Sequence, residues 1–311
     1  MPSRVFSTIG NSGNIIRGLW QLFRIKPTVS WGFSSFALGV GVAVARAGTD
    51  VNLLDGLLMF TLVGLSLGIA STGLNDAYDW ITGTDKMSIA KGTGGSRVIP
   101  EGKMSLKQVI LTAVFSLVAM LAIGAHLVLQ QGRPMLLVVA VGILAPVAYS
   151  VPPLKMGYRP FNELVVGVPA LICVVVGADV ALTGDWSWLA VGLGFVHAMF
   201  GISWFIVSRV PDYEPDKQAG KITSVVYLGR DNASLLSGIY ASIAITPVPF
   251  LAVEFTPAIV VSVVAWFALV LGVFKLEPYN PEHASRLRLR NMHITTAHGF
   301  GMSILLPLMG V

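Results

Sequence analysis

Long apolar runs separated by short charged loops organise this chain. A helix needs about 20 apolar residues to cross the roughly 30 Å of bilayer hydrocarbon. Windows of that kind lie at about 27–47, 56–75, 108–129, 135–151, 163–183, 188–208, 233–253, 257–274 and 292–310. Ahead of the first, 14–23 is apolar with Arg17 inside it and Arg24 just after, the pattern of a short helix lying in the interface. The first 24 residues carry Arg4, Arg17 and Arg24 and lack the continuous apolar run of a cleavable signal. The expected architecture is all-α: a polytopic membrane protein with nine transmembrane helices in one bundle, a single domain over 1–311.

Composition narrows the class. Of the 311 residues, 54% are hydrophobic and 12% charged, against about 25% charged in ordinary soluble proteins. Mean hydropathy is +0.74. Disorder, a soluble globule and, with Cys173 as the one cysteine, a disulfide scaffold are excluded. The net charge of +5 does not point to nucleic acid, because the basic residues are sorted by side. Nineteen of the 21 Lys and Arg fall in the N-terminal tail and the loops after spans two, four, six and eight, leaving Arg46 and Arg133 on the other side. That asymmetry predicts a cytoplasmic N-terminus and a C-terminus on the opposite side. Arg286, Arg288 and Arg290 read as part of this topology and lipid-headgroup charge.

The acidic residues gather at the same face. Asn75, Asp76, Asp79 and Asp85 end span two; Asp212, Glu214 and Asp216 end span six. Asn75 and Asp79 are four apart, as are Asp212 and Asp216, so each pair shares a helix face. Carboxylates meeting at one surface repel unless a cation lies between them. A hard divalent ion such as Mg²⁺ suits oxygen ligands and leaves positions for phosphate. Lys86, Lys91 and Arg97 follow the first cluster, and Lys217 and Lys221 the second. Metal with Lys and Arg is the composition that holds a diphosphate.

These segments resemble the UbiA-type intramembrane prenyltransferase superfamily. The resemblance rests on Asn75-Asp76-x-x-Asp79 with Asp85, on Asp212-x-x-x-Asp216 followed by Lys217, Gly220, Lys221 and Thr223, and on Tyr149 to Arg159 leading to Asn162-Glu163-Leu164. Gly92 to Ile99 is similar to the branch that prenylates 1,4-dihydroxy-2-naphthoate. The motifs cover about 70–230, and the span count agrees. Two places depart from the pattern. Ser208-Arg209-Val210-Pro211 replaces an Asn-x-x-Arg, and Asp85 follows Asp79 by six residues, where Gly83 would let the chain turn back.

The resemblance implies a central cavity opening to the cytoplasmic side and two Mg²⁺ ions bridging the diphosphate of an isoprenyl donor. Asn75, Asp79, Asp85, Asp212 and Asp216 would be the metal ligands. Lys91, Arg97, Lys155, Lys217 and Lys221 would hold the diphosphate, and Lys155 would also assist its departure. Tyr149, with Tyr78 and Tyr158, would face the allylic cation through an aromatic ring. Asp76 would remove the proton after a small aromatic acceptor attacks. The donor's apolar tail would lie between helices or in membrane lipid. A membrane terpene cyclase, in which the substrate's own double bond attacks, uses the same residues and stays open. A transporter would place ionisable groups at mid-membrane, where only Asp179, His126, His197, His293 and His298 are candidates.

Other features take structural readings. His126 and His197 read as hydrogen-bonded structural residues and Cys173 as a small packing residue. Gly39-Val40-Gly41 and Gly192-Leu193-Gly194 read as close helix contacts. For Gly92 to Gly95, backbone contact with phosphate and a flexible lid weigh equally.

Overall fold

The computed structural model describes residues 12–88, 95–251 and 256–309, all of it helix and connecting turn. Seven helical segments are long and apolar enough to span a membrane: α1 (Ile15–Ala47), α2 (Leu53–Thr82), α3 (Leu106–Gln131), α4 (Arg133–Ser150), α5 (Glu163–Thr183), α6 (Trp188–Arg209) and α7 (Arg230–Leu251). Helices α8 (Thr256–Val273) and α9 (Pro281–Met309) occupy the last two expected windows. In α8 the apolar stretch Ile259–Val273 is shorter than the others. In α9 the opening turns carry Glu282, Arg286, Arg288 and Arg290, which dilutes its apolar character.

A short helix, Ser12–Leu22, stands where the interfacial helix was expected and overlaps the start of α1. It joins the rest of α1 through a bend at Arg24, whose φ of 46° is left-handed. Elsewhere the sequence supplies ordinary helix starts. Asn52 caps α2 through the Asp55 amide, Ser105 and Gln108 form a reciprocal cap on α3, and Ser187 caps α6. These side chains satisfy amide groups that a helix leaves open at its N-terminus.

Helix α5 lies inside the bundle, against α1, α2, α4 and α6, while α9 packs along α1, α6 and α8. Gly39 and Gly41 make the tight crossings of α1. A Cβ at Gly39 would sit 2.3 Å from the Val175 carbonyl oxygen, and one at Gly41 would sit 2.5 Å from Ser303 Cα. The close-contact reading of this pair holds, and small residues at such crossings are how membrane helices approach each other.

Buried polar groups are paired across helices. Asp179, fully buried in α5, receives two bonds of 2.8 Å from Arg46 and one of 2.7 Å from Ser187. His126 lies 3.3 Å from Asp55. His197 joins Ser34 at 2.9 Å and His298 at 3.1 Å, and His298 meets Ser262 at 3.1 Å. His197 and His298 thus sit in hydrogen-bonded helix-to-helix links, whereas His126 Nε2 lies near Asp55 without a hydrogen bond among the described residues. Removing one partner of a buried ion pair strands the other. Arg46→Ala should therefore cost about 2–4 kcal/mol of stability, visible as a lower melting temperature in detergent.

One feature of α2 positions the site. Residues Gly64–Ala70 form a π-helical stretch. In an unbroken α-helix, at about 100° per residue, Val63 and Asp79 would point about 160° apart. The wider π turn advances less per residue, and both side chains reach the same cavity wall. Similar π-helical stretches in α1 (Val29–Phe33) and α5 (Glu163–Gly167) also border that cavity.

Candidate active site

A cavity of about 380 Å³ lies between α1, α2, α4, α5, α6 and α9. Asn75, Asp79 and Asp85 line one side of its polar end, and Asp212, Asp216 and Lys221 the other. The remaining walls are mostly apolar.

The first acid bank is set by how α2 ends. The helix carries Asn75, Asp76 and Asp79 on its last turns, then stops at Gly83 (φ 91°). The short helix Thr84–Ser88 follows and turns Asp85 back into the site, where it is only 4% exposed. Asn75 donates to Asp79 Oδ2 at 3.0 Å, and the Tyr158 hydroxyl donates to Asp79 Oδ1 at 2.6 Å. Burial, together with Asp79 and Asp76, pushes the Asp85 carboxyl up to about 8. Burial and Asp79 push the Tyr158 hydroxyl up to about 12, so it stays a donor.

The second bank follows the end of α6. Asp212 precedes the short helix Tyr213–Gln218, which places Asp216 inward. Gly220, at φ 70°, turns the chain so that the Lys221 amide bonds the Asp216 carbonyl at 2.8 Å. Lys221, 2% exposed, reaches across to Asp79 Oδ2 at 2.7 Å. Burial alone would lower its pKa, but Asp79 and Asp216 outweigh that and hold it above the usual lysine range. Burial raises Asp216 to about 6 against the pull of Lys221 and Arg209.

This donor set fits Mg²⁺. Asp216 Oδ2 is buried with no hydrogen-bond partner among the described residues. Burial does most to raise the Asp85 and Asp216 carboxyls and the neighbouring carboxylates add to it, so a cation between the banks would favour their charged forms. Among the described residues no three His, Cys, Asp or Glu side chains converge to enclose a metal by themselves. An ion held by one or two carboxylates, with phosphate and water completing its shell, is the arrangement Mg²⁺ favours.

The other expected site residues divide. Tyr149 lines the cavity and its hydroxyl accepts from Arg209. Asp76 lies behind the wall, its carboxylate taken up by the Ser96 amide and hydroxyl. Lys155 is outside the lining, with Nζ 3.8 Å from the centre of the Tyr158 ring. Arg97 is also outside it, paired with Glu101 at 3.2 Å. Lys217 is exposed, 5.7 Å from the Tyr213 ring centre. Lys91 and Gly92 to Gly94 fall outside the described residues. Gly95 has a definite role: at φ +57° it passes between two carboxylates, where a Cβ would come within 2.3 Å of Asp76 Oδ1.

Several lining residues were not expected. Arg24, Lys26 and Arg288 also line the cavity and add positive charge to it. Arg209, from the altered motif, lies 3.9 Å from Asp216. Trp31 meets Trp204 and Phe205 edge-on, each at 5.3 Å between ring centres, forming an aromatic wall. Phe205 and Arg209 are four residues apart on α6, and the guanidinium stacks on that ring at 4.5 Å. Spacing from Asp212 backwards along α6 could have revealed both. Glu163 also lines the cavity and is held by Ser224 at 2.6 Å and Tyr240 at 3.0 Å.

Comparison with known proteins finds relatives over most of the chain. Residues 34–296 match the UbiA prenyltransferase family. The 1,4-dihydroxy-2-naphthoate octaprenyltransferase of Bacillus subtilis is 25% identical over 224 residues, covering 72% of this chain and 70% of that protein. A lycopene elongase/hydratase of Corynebacterium glutamicum is 25% identical over 231 residues, covering 71% and 75%. The fold matches that of a UbiA homolog from Archaeoglobus fulgidus bound to GPP and Mg²⁺, with a TM-score of 0.64 at 17% identity, covering 92% of this chain and 99% of that one. The same homolog bound to DMAPP and Mg²⁺ also has a TM-score of 0.64, at 18% identity and the same coverage.

Proposed function

The chain belongs to the UbiA prenyltransferase family, and from that premise we propose that it transfers a prenyl group from an isoprenyl diphosphate to a small aromatic acceptor, with Mg²⁺ as cofactor. One observation carries this reading. Lys221 and Asp79, 142 residues apart in sequence, meet at 2.7 Å where two carboxylate banks face the end of an apolar cavity. A charged head and an apolar tail on one molecule fit that division.

Asn75, Asp79, Asp85, Asp212 and Asp216 would hold the metal, which supplies charge stabilisation to the departing diphosphate. Lys221 and Arg209 add fixed positive charge beside it, and Arg24, Lys26 and Arg288 add more from the cavity lining. Concentrating cations where negative charge develops lowers the barrier to breaking the C1–O bond. The faces of Trp31, Phe205 and Tyr149 stabilise the allylic cation that remains. Tyr158 and Asn75 fix the Asp79 carboxylate between them. Asp76, engaged by Ser96, is suited to shaping the first bank, so proton removal falls to another group at the wall.

Trp204 Nε1 and Asn162 Oδ1 are buried at the cavity wall with no hydrogen-bond partner among the described residues. They offer one donor and one acceptor to the hydroxyl groups of an aromatic substrate. Trp204→Phe should raise the acceptor KM about 3- to 10-fold, the worth of one hydrogen bond, while leaving the donor KM unchanged. Steady-state kinetics with each substrate varied in turn would show this.

We read α8 and α9 as the eighth and ninth spans, and the acidic end as cytoplasmic because 19 of the 21 Lys and Arg fall on that side. The deciding experiment incubates purified protein with prenyl diphosphates, with and without aromatic acceptors. Acceptor-dependent prenylated product is expected. A cyclic hydrocarbon formed without acceptor would replace transfer by cyclisation.

A further inference from the structure

Glu163 is a third acidic group on the cavity wall and belongs to neither acid bank. It opens α5 directly after Asn162 and lines the cavity, yet it is only 3% exposed. The Ser224 hydroxyl donates to its Oε1 at 2.6 Å, and the Tyr240 hydroxyl donates to the same oxygen at 3.0 Å. Ser224 is itself fixed, accepting from the Phe161 amide at 2.7 Å. An ionised carboxyl group can only accept hydrogen bonds, and both partners here are donors. Oε2 has no hydrogen-bond partner among the described residues, so the group meets the cavity through that second oxygen.

Among the described residues no Lys, Arg or His forms an ion pair with Glu163. A buried carboxylate without a counter-cation is costly. Fastening α5 to Tyr240 on α7 needs only an oxygen acceptor, which a neutral amide also supplies. The charge has a use if the group takes up a proton. Its surroundings suit an aromatic ring that carries a hydroxyl. Asn162 Oδ1 and Trp204 Nε1, both on the lining, are buried without partners among the described residues. Gly167 lies four residues after Glu163 on α5, where a Cβ would come within 3.8 Å of Trp31 Cζ3. The wall formed by Trp31 and Trp204 therefore begins about one helical turn, roughly 5 Å, from Glu163.

We propose that Glu163 is the general base of the transfer, taking the hydroxyl proton of a hydroxyarene acceptor as the acceptor's ring attacks the allylic cation. The proposal rests on the reading of this chain as a prenyltransferase that uses an aromatic acceptor. In the step, the acceptor's O–H bond breaks and its proton goes to Glu163 Oε2. The freed electron pair moves into the ring, and a ring π pair forms the new C–C bond to C1 of the prenyl group. The hydrogen on the attacked carbon then leaves as a proton to the released diphosphate. Glu163 returns its proton to the oxygen, which restores the aromatic hydroxyl. Ser224 and Tyr240 keep Oε1 occupied throughout, so Oε2 is the oxygen that exchanges the proton.

The test compares wild type with Glu163→Gln, whose amide oxygen can still accept from Ser224 and Tyr240. Each is assayed at one pH, with saturating prenyl diphosphate and Mg²⁺, against hydroxyarenes of graded hydroxyl acidity. With acceptors near the ordinary phenol pKa of about 10, kcat of the variant should fall about 100-fold or more, the usual contribution of a general base. With acceptors whose hydroxyl is already ionised at the assay pH, no proton remains to be taken, and the deficit should shrink to within about 3-fold. Glu163→Asp sets the carboxylate back by one methylene. It should lose about 10-fold and follow the same trend with acidity, which keeps the test open if the glutamine variant does not fold. A third readout concerns the donor alone. Without acceptor, both variants should still move an oxygen label between bridging and non-bridging positions of the diphosphate as fast as wild type, because ionisation precedes the step assigned to Glu163. An equal deficit with every acceptor would make Glu163 a fastener and overturn the proposal. Undiminished kcat, or loss of the label exchange, would overturn it too. If wild type exchanges the label but forms no acceptor-dependent product, the transfer reading itself fails.

Discussion

Asp79→Ala and Asp216→Ala should each reduce kcat/KM by about 10³-fold or more, the scale on which removal of a charge-stabilising group acts. The two residues stand on opposite banks, so a loss from either mutant means that both banks act on one substrate. The alanine at 79 also strands Lys221 and removes the acceptor of the Tyr158 hydroxyl. Asp79→Asn is therefore the cleaner companion. It preserves shape and a side-chain oxygen while removing the charge, and it should be nearly as inactive. The melting temperature of Asp216→Asn should stay close to wild type, while Asp79→Asn, which leaves the buried Lys221 without its counter-charge, should melt lower than wild type. Treatment with EDTA should reproduce the loss, and added Mg²⁺ should reverse it. Full turnover in either alanine variant would remove these residues from the metal site.

Lys221→Met is the second substitution with a large expected effect. The ammonium group is buried, held against Asp79, and kept charged by Asp79 and Asp216 despite desolvation. Methionine keeps the volume and deletes the cation. The leaving diphosphate then loses one fixed positive charge in a water-poor site, and kcat should fall about 10²-fold. Lys221→Arg keeps the charge but spreads it over a planar fork that cannot occupy the same point. It should recover part of kcat, with the donor KM changed. If Lys221 served only to fasten α2 to the loop after α6, methionine would lower the melting temperature and leave kcat near wild type. Measuring both quantities separates the two roles.

The bundle and both acid banks were legible before any coordinates because each leaves a local mark. Apolar windows report membrane helices, and a spacing of four residues reports a shared helical face. Gly83 and Asp85 show how far local reasoning extends: a glycine able to turn the chain predicted that Asp85 would come back to the site, and it does. Arg24, Lys26 and Arg288 were harder to see. They sit among residues whose abundance on one side of the membrane already had an explanation in topology, and only packing selects which of them face inward. Lys155, Arg97 and Lys217 show the converse. Sequence proximity to an acid bank placed them in the site, but local partners hold them outside the cavity lining: the Tyr158 ring, Glu101 and the Tyr213 ring. The partnership of His197 with His298 links two residues 101 positions apart and has no local trace. The aromatic wall was hidden for a related reason, since Trp31 comes from the first helix and Trp204 and Phe205 from the sixth.

The π-helical stretch in α2 has a consequence for how this chain tolerates change. Helix length is ordinarily forgiving where it meets a loop, but here a single residue within 64–70 carries phase information. Losing one residue and relaxing into a regular helix would leave Val63 and Asp79 15 residues apart and about 60° from each other, so the Asn75–Asp79 face would still meet the wall that holds Met59. Relaxing into a regular helix with every residue kept would instead set them about 160° apart, so a one-residue deletion within 64–70 should be tolerated better than a change that straightens the stretch at unchanged length. The match between residue count and helix type there is as much a determinant of the site as the identity of Asp79.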